Sequence, residues 1–473
     1  MRELEVDLAV IGAGPAGQKG AIQSAKIDKK VIVVDRLGRL GGACLNQGTI
    51  PSKTLREAIL SLTGFRERSY YGRQQEHPKI SIHDLNFRVD KVIEDENALI
   101  ERQFARNGIE TIRGSARFIG EDVLEVTDDT GDVAHRIAAE RFLIATGSRP
   151  RNPLEVPFDD TTILDSDRVL KLRVLPESML VLGGGVIGCE YGTMFAALGT
   201  RVTLIDKADG PLSHLDGGIG RRFAEYIRDM GVQLEMGRVI SDIRRGGEEM
   251  SAEVETESGE IFRAQCLVYA LGRRANVEGL DLEAAGLELN ERGYVEVNAL
   301  FQTANPRIYA AGDVIGQPSL ASTAMEQGRL AARSAFALRT HQFPTFFPYG
   351  IYTIPEVSGV GPTEEELQER GVNYQVGLAY YYEIGRGPIA GDTTGMFKLI
   401  FHAETLEVLA VHIIGSNAAE LVHIGQLAID FHARVNYFVD QVFNYPTFAE
   451  GYRIAALNGI NKLEGVGHVQ APE

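Results

Sequence analysis

Leu8-Ala9-Val10-Ile11-Gly12-Ala13-Gly14-Pro15-Ala16-Gly17 is an apolar run that breaks into a Gly-x-Gly-x-x-Gly turn, and its reading decides the fold. The run is short and unbroken, as expected for a strand buried in a parallel sheet. Gln18 to Ile27 reads as a helix, and Val31-Ile32-Val33-Val34 as a second strand ending on Asp35. In such a βαβ unit Gly12, Gly14 and Gly17 let the backbone approach a pyrophosphate at a helix N-terminus. The acid then accepts a hydrogen bond from a ribose hydroxyl. Asp35 stands 21 positions beyond Gly14 (35 − 14). The combination predicts a dinucleotide site rather than a merely structural tight turn.

The unit recurs. Met179 to Leu182 reads as a strand, Gly183-Gly184-Gly185-Val186-Ile187-Gly188 as the turn, and Cys189 to Leu198 as the helix. Val202 to Ile205 reads as the second strand, ending on Asp206, again 21 positions (206 − 185) after the middle glycine. Self-similarity of this kind demands two dinucleotide-binding folds in one chain.

With 473 residues the chain has room for two or three domains, each with its own core. A formal net charge of −17 argues against nucleic acid and against anionic membrane surfaces as partners. No apolar run approaches the roughly 20 residues needed to span a bilayer. Met1 to Glu5 leads straight into a strand without a cleavable signal segment. Cys44, Cys189 and Cys266 are too widely spaced for a disulfide framework or a metal cluster, and the ten histidines show no ligand spacing, so no metal site is expected. These features predict a soluble protein of a reducing compartment, the cytoplasm.

Gly41-Gly42-Ala43-Cys44-Leu45-Asn46-Gln47-Gly48-Thr49-Ile50-Pro51-Ser52-Lys53 follows the first unit and opens a helix, with Pro51 near its first turn. This segment resembles the redox-active segment of the flavoprotein disulfide reductases, such as lipoamide dehydrogenase and glutathione reductase. Those proteins carry two cysteines five positions apart, followed by Pro-Ser-Lys. Cys44 matches the first, but the second position is Thr49. A single thiol cannot close an internal disulfide, so the dithiol chemistry of the family is not expected.

The resemblance implies an α/β chain with two Rossmann-like domains, for FAD and NAD(P), and a C-terminal α+β dimerisation domain. It assigns FAD to the first copy and NAD(P) to the second. Gly114-Ser115-Ala116-Arg117-Phe118 resembles the family's segment near the adenine. Ile144-Ala145-Thr146-Gly147-Ser148-Arg149-Pro150 resembles its exit strand, and Thr303 to Asp313 its second FAD signature, where an acid reaches the ribityl chain. The implied FAD residues are Gly12, Gly14, Gly17, Asp35, Gly42, Thr49, Ser52, Lys53, Ala116, Thr146, Gly147, Gly312, Asp313 and Ala321. The implied NAD(P) residues are Gly183, Gly185, Val186, Ile187, Gly188, Glu190, Asp206, Lys207 and Gly272, the last in Ala270-Leu271-Gly272-Arg273-Arg274-Ala275-Asn276, which resembles the exit from that domain. The expected boundaries are 1–150 and 277–345 for the FAD domain, 151–276 for the NAD(P) domain and 346–473 for the dimerisation domain. Within them, 93 to 107 reads as an amphipathic helix, 110 to 143 as a β-meander and 216 to 230 as a helix.

Phe443-Asn444-Tyr445-Pro446-Thr447-Phe448-Ala449-Glu450 resembles a late segment that, in relatives, crosses to the partner subunit's flavin site with a His-Glu pair. Tyr445 stands at the histidine position, and Glu450 remains. The two departures, Thr49 and Tyr445, remove what thiol chemistry alone requires. Lys53, implied at the flavin N5 edge, and Glu190, which relatives pair with that lysine, keep what hydride transfer needs.

The combination resembles one subgroup closely, the soluble FAD-containing pyridine nucleotide transhydrogenases. It implies NADPH + NAD⁺ ⇌ NADP⁺ + NADH by a ping-pong route, in a homodimer or larger homo-oligomer. Lys53, Glu190, Tyr445 and Glu450 are the implied catalytic residues, with Tyr445 covering the flavin from the partner. Asp206 suits a free 2′-hydroxyl and repels a 2′-phosphate, with Lys207 and Arg274 the candidate cations to offset it, so tighter use of NAD(H) than NADP(H) is expected. Two readings compete: an NAD(P)H oxidase or diaphorase passing electrons to oxygen or quinones, and a low-turnover flavin redox sensor. Cys44 reads as a small apolar filler, Cys189 and Cys266 as core, and His412 and His423 as interface packing rather than catalysis.

Overall fold

β1 (Arg2–Ile11), α1 (Pro15–Ala25) and β2 (Val31–Asp35) form the first βαβ unit, with Val10 opposite Val33 in a parallel pair. The computed structural model describes residues 1–65, 80–247, 251–463 and 465. α1 begins three residues earlier than the expected Gln18, because Pro15 occupies its first turn. There the fixed φ of proline suits the helix and its missing N–H costs nothing. α2 (Gly42–Asn46) and α3 (Thr49–Leu62) carry the Cys44-to-Lys53 segment.

α4 (Ile82–Arg106) is longer than the helix expected from residue 93. Its start is set by Ser81 and Asp84, each side chain taking the other's backbone N–H, at 3.2 and 2.9 Å. The expected meander is only partly one. β3 (Glu110–Arg113) runs parallel to β2, and β4 (Ser115–Phe118) and β5 (Val123–Thr127) are antiparallel to their neighbours. β6 (Val133–Ile144) returns parallel to β1. Gly114, at φ 156°, breaks β3 from β4, and a Cβ there would press on the Thr127 carbonyl.

The chain divides into two compact units. Met1–Leu55, Asn86–Arg151 and Gly272–Pro344 make the first; Arg56–Leu85, Asn152–Leu271 and Thr345–Glu473 make the second. The first is built on the sheet β3-β2-β1-β6-β5-β4, with Ile308–Ala310 also pairing β6. Phe118, Ile137 and Phe142 fill one apolar layer against it, and Leu8, Val10, Val33 and Leu143 the other. That two-sided burial is why its central strands read as unbroken apolar runs.

The second unit contains a parallel sheet in the order Gln233–Met236, Arg201–Asp206, Ser178–Leu182, Cys266–Tyr269, Ile163–Asp165. α5 (Val186–Ala197) follows Ser178–Leu182 and again starts three residues ahead of the expected position. The helix Gly217–Asp229 is capped by Asp216, whose side chain accepts from Gly218 and Ile219. A separate five-stranded antiparallel sheet, running from Tyr349–Ile351 to Tyr374–Tyr380, carries the C-terminal helices Ala418–Asp430 and Glu450–Leu463. Among the described residues no helix is long and apolar enough to cross a membrane, and no His/Cys/Asp/Glu group is arranged to hold a metal.

Candidate active site

The two glycine turns are built alike, atom for atom. Asp35 Oδ2 accepts the Ala13 N–H at 3.0 Å and Oδ1 the Leu37 N–H at 2.9 Å. Asp206 Oδ2 accepts the Gly184 N–H at 2.5 Å and Oδ1 the Ala208 N–H at 2.7 Å. Every residue in this comparison is displaced by the same interval (183 − 12 and 206 − 35 both give 171). Each acid therefore ties its glycine turn to the end of the neighbouring strand with charge-assisted bonds, while each oxygen keeps acceptor capacity for a hydroxyl. A Cβ on Gly17 would collide with the Gly12 carbonyl oxygen, and one on Gly188 with that of Gly183. Gly14 and Gly185 cap α1 and α5 without any side-chain hydrogen bond. The first amides of both helices thus have no cap side chain to bond, an arrangement that suits an anionic ligand.

In the first unit a Cβ on Gly42 would come within 2.7 Å of the Gly14 Cα, so the start of α2 lies directly on the glycine turn. Cys44 on α2 stands in hydrogen-bond reach of the Thr49 hydroxyl at the head of α3. Burial pushes the Cys44 thiol above its ordinary pKa, against the opposing pull of that bond and of the Lys53 charge. The thiol is protonated at neutral pH. Ser52 is buried, and Lys53 Nζ donates to its Oγ at 3.2 Å.

Gly312 adopts φ 83° and donates its N–H to Gln327 at 2.8 Å. Asp313 follows at the head of a short 3₁₀ turn and accepts from Ser148 Oγ at 2.6 Å, and Arg273 Nε donates to that Ser148 oxygen at 2.9 Å. Ala321 opens the helix Ala321–Ala335, which also lacks a side-chain cap. Ala116 is buried on β4 opposite Val126. Gly147 sits at φ 69°, and Asn276 holds the Thr146 and Gly147 carbonyls at 3.1 and 2.9 Å. The Thr146 hydroxyl is buried without a hydrogen-bond partner. An orphaned buried hydroxyl beside an uncapped helix N-terminus and a glycine cradle fits a polar dinucleotide.

In the second unit Glu190 is 3 % exposed, and its Oε1 accepts the Tyr352 N–H at 2.9 Å. Val186 and Ile187 form the first turn of α5, and Lys207 is exposed after Asp206. Gly272, at φ 106°, belongs to the first unit, where its carbonyl accepts the Arg151 N–H at 3.0 Å. Tyr445 is 67 % exposed, with its ring over Gly385. Glu450 heads the helix Glu450–Leu463, and its Oε2 is buried without a hydrogen-bond partner. His412 is not a surface residue: it is 1 % exposed, with Nε2 3.1 Å from the Pro362 carbonyl oxygen. His423 is exposed and pairs with Gln426. Cys189 and Cys266 are buried, and burial pushes the Cys266 thiol up to about 12.

Sequence reasoning passes over two features here. The internal repeat reaches beyond the acids: Gly41 N–H donates to the Ala13 carbonyl at 2.9 Å, and Leu212 N–H (212 − 41 is again 171) to that of Gly184 at 2.7 Å. Both residues have positive φ, 97° and 51°, and a leucine gives no sign of that in sequence. The other is Arg56 on α3, 3 % exposed, which nothing in Leu55-Arg56-Glu57-Ala58 marks as internal.

Paired nucleotide turns followed by a separate antiparallel domain define a class. Residues 6–328 match the pyridine nucleotide-disulphide oxidoreductase family and residues 347–456 its dimerisation domain. The chain belongs to that family, whose members use FAD and a nicotinamide dinucleotide. It is 46% identical over 464 residues to a protein of Mycobacterium tuberculosis (strain ATCC 25177 / H37Ra) named soluble pyridine nucleotide transhydrogenase, covering 98% of each chain. A protein of the same name from Hahella chejuensis is 41% identical over 466 residues, covering 98% of this chain and 100% of that one. Among solved structures, LpdA from Mycobacterium tuberculosis superposes with a TM-score of 0.87 at 26% identity, covering 96% of this chain and 99% of that one. The HOCl-induced flavoprotein disulfide reductase RclA from Escherichia coli gives 0.85 at 27% identity, over 95% and 99%.

Proposed function

We propose that the chain catalyses NADPH + NAD⁺ ⇌ NADP⁺ + NADH by a ping-pong route, both nicotinamides using one site in turn. The observation that carries the reading is Thr49 against Cys44: the dithiol frame is kept, but a hydroxyl stands where the second sulfur would be. Near-complete coverage of relatives named soluble pyridine nucleotide transhydrogenase supports it.

FAD supplies the two-electron carrier between the half-reactions. In this reading the α1 amides and Gly42 hold its pyrophosphate, Asp35 its ribose, Ala116 lines the adenine end, and Asp313 meets the ribityl chain. Thr146, Gly147, Gly312 and Ala321 complete that cradle. Gly183, Gly185 and Gly188 bring the α5 amides to a nicotinamide dinucleotide whose ribose meets Asp206. Lys53 offers positive charge where negative charge develops, and Glu190 fixes the nicotinamide face. Tyr445 and Glu450 act from the partner subunit of a homodimer. The domain boundaries follow as 1–150 with 277–345, 151–276 and 346–473, and the location as cytoplasmic.

The test is NADPH-dependent reduction of a thio-analogue of NAD⁺ by purified protein with a flavin spectrum. Reoxidation by NAD⁺ much faster than by O₂ separates this reading from an oxidase or diaphorase. Colourless protein that takes up no FAD, or efficient turnover of dihydrolipoamide, ends it. Asp206 bears on preference: kcat/KM for NAD(H) should exceed that for NADP(H), and Asp206→Asn should narrow the gap by about tenfold.

A further inference from the structure

An arginine as deeply buried as Arg56 must have its charge met and its N–H groups bonded. Its Nε donates to the Thr353 carbonyl at 2.9 Å, and Nη2 lies 3.2 Å from Glu356 Oε1. Nη1 lies 2.7 Å from Glu57 Oε1. Glu356 is itself 7 % exposed, and its other oxygen accepts the Ala419 N–H at 3.4 Å. Arg56 thus grips the strap Tyr352-Thr353-Ile354-Pro355-Glu356 at two points.

The same strap turns its other polar groups to α5. Tyr352 N–H donates to Glu190 Oε1 at 2.9 Å, and Ile354 N–H to Thr193 Oγ1 at 3.1 Å. Glu190, Thr193 and Thr353 are all buried, so none of these bonds has water as a ready substitute. A planar, forked cation on one side of the strap and a carboxylate one helical turn inside α5 on the other are joined by a few covalent bonds of backbone.

We propose that Arg56 is a positioning residue for hydride transfer, acting through this strap to set the carboxylate of Glu190. The inference rests on the transhydrogenase reading and deepens it. The guanidinium fork meets a carbonyl and a carboxylate at once, which a lysine ammonium cannot reproduce in the same geometry. Loss of that grip frees the Tyr352 amide, and with it the orientation of Glu190. Misplacement of about 1 Å at such a site costs up to roughly a hundredfold in rate.

The experiment uses the FAD-loaded enzyme and follows bleaching of the flavin by NADPH in a single half-turnover, a readout independent of whether NAD⁺ later accepts the hydride. Arg56→Lys should slow that step at least tenfold, with the apparent Kd for NADPH changed less than threefold. Hydrogen exchange at the Tyr352 and Ile354 amides should accelerate about tenfold in the same variant. The double variant Arg56→Gln, Glu356→Gln removes both buried charges, so its thermal midpoint should return towards wild type while the half-reaction stays slow. Wild-type bleaching in Arg56→Lys, or a double variant that regains stability and rate together, overturns the proposal. A wild type that bleaches with NADPH yet never passes hydride to thio-NAD⁺ counts against transhydrogenation instead.

Discussion

Lys398 Nζ lies 2.8 Å from each carboxylate oxygen of Asp216, with the two side chains 5 % and 0 % exposed. Lys398 rises from the strand Met396–His402, and Asp216 caps the helix Gly217–Asp229. Glu364 joins the same ammonium. Burial alone would raise the Asp216 carboxyl, but the His412 ring and Lys398 bring it below its ordinary range. One cation therefore neutralises a carboxylate that is also a helix cap.

Lys398→Met leaves that carboxylate buried and unpaired. The expected loss is about 3–5 kcal/mol, read as a lower urea midpoint. Adding Asp216→Asn, which keeps a capping oxygen without the charge, should restore most of it. An unshifted midpoint in the single variant contradicts this account of the pair.

His412 makes stability depend on pH. Burial holds its ring below the ordinary value of 6.5, with Asp216 and Glu365 opposing and Lys398 reinforcing the shift. The unfolded chain therefore takes up a proton that the folded chain refuses, so stability falls with pH below 6.5. The contribution is whole above that value and is lost as pH drops towards the folded-state pKa. The thermal midpoint should decline from about pH 7 to about pH 5, and less steeply in His412→Asn. His214, also lowered by burial, accounts for part of the remaining slope. Equal slopes in the two proteins would remove His412 from the explanation.

Gly17 and Gly188 make a matched pair. A methyl at either drives into a backbone carbonyl oxygen of its own turn, which cannot yield as a side chain would. Gly17→Ala should yield protein without a flavin spectrum. Gly188→Ala should keep the flavin yet need at least tenfold more NADPH for half-bleaching. Reversal of the two outcomes would exchange the assigned ligands.

Thr49→Cys places a sulfur beside the Cys44 thiol. The wild-type chain carries three thiols. The air-oxidised variant should show two in denaturant (three plus one, less the two joined) and four after reduction. Four thiols before reduction would mean that α2 and α3 hold these positions too far apart for a bond.

The glycine turns are legible in sequence because everything that shapes them is local: an apolar run, a spacing, an acid after the next strand. Helix starts at Pro15 and Val186 are misplaced by three residues because the turn glycines look like loop when Gly14 and Gly185 are in fact caps. Strand direction is hidden for a different reason. Alternation along Glu110–Arg113 is the same whether its partner runs with it or against it, and only the sheet shows that β2 is that partner. Arg56 is the least legible, since its acceptor Thr353 lies 297 positions away and a charged residue in a helix ordinarily faces water. Lys398, between Phe397 and Leu399, is concealed likewise, its counter-ion 182 positions back.

The protonated, hydroxyl-facing state of Cys44 reaches beyond the turnover itself. Arsenite seizes neighbouring sulfurs, and peroxide consumes ionised ones; neither finds its target at this centre. Hydride exchange is therefore expected to persist at arsenite concentrations that silence a dithiol relative.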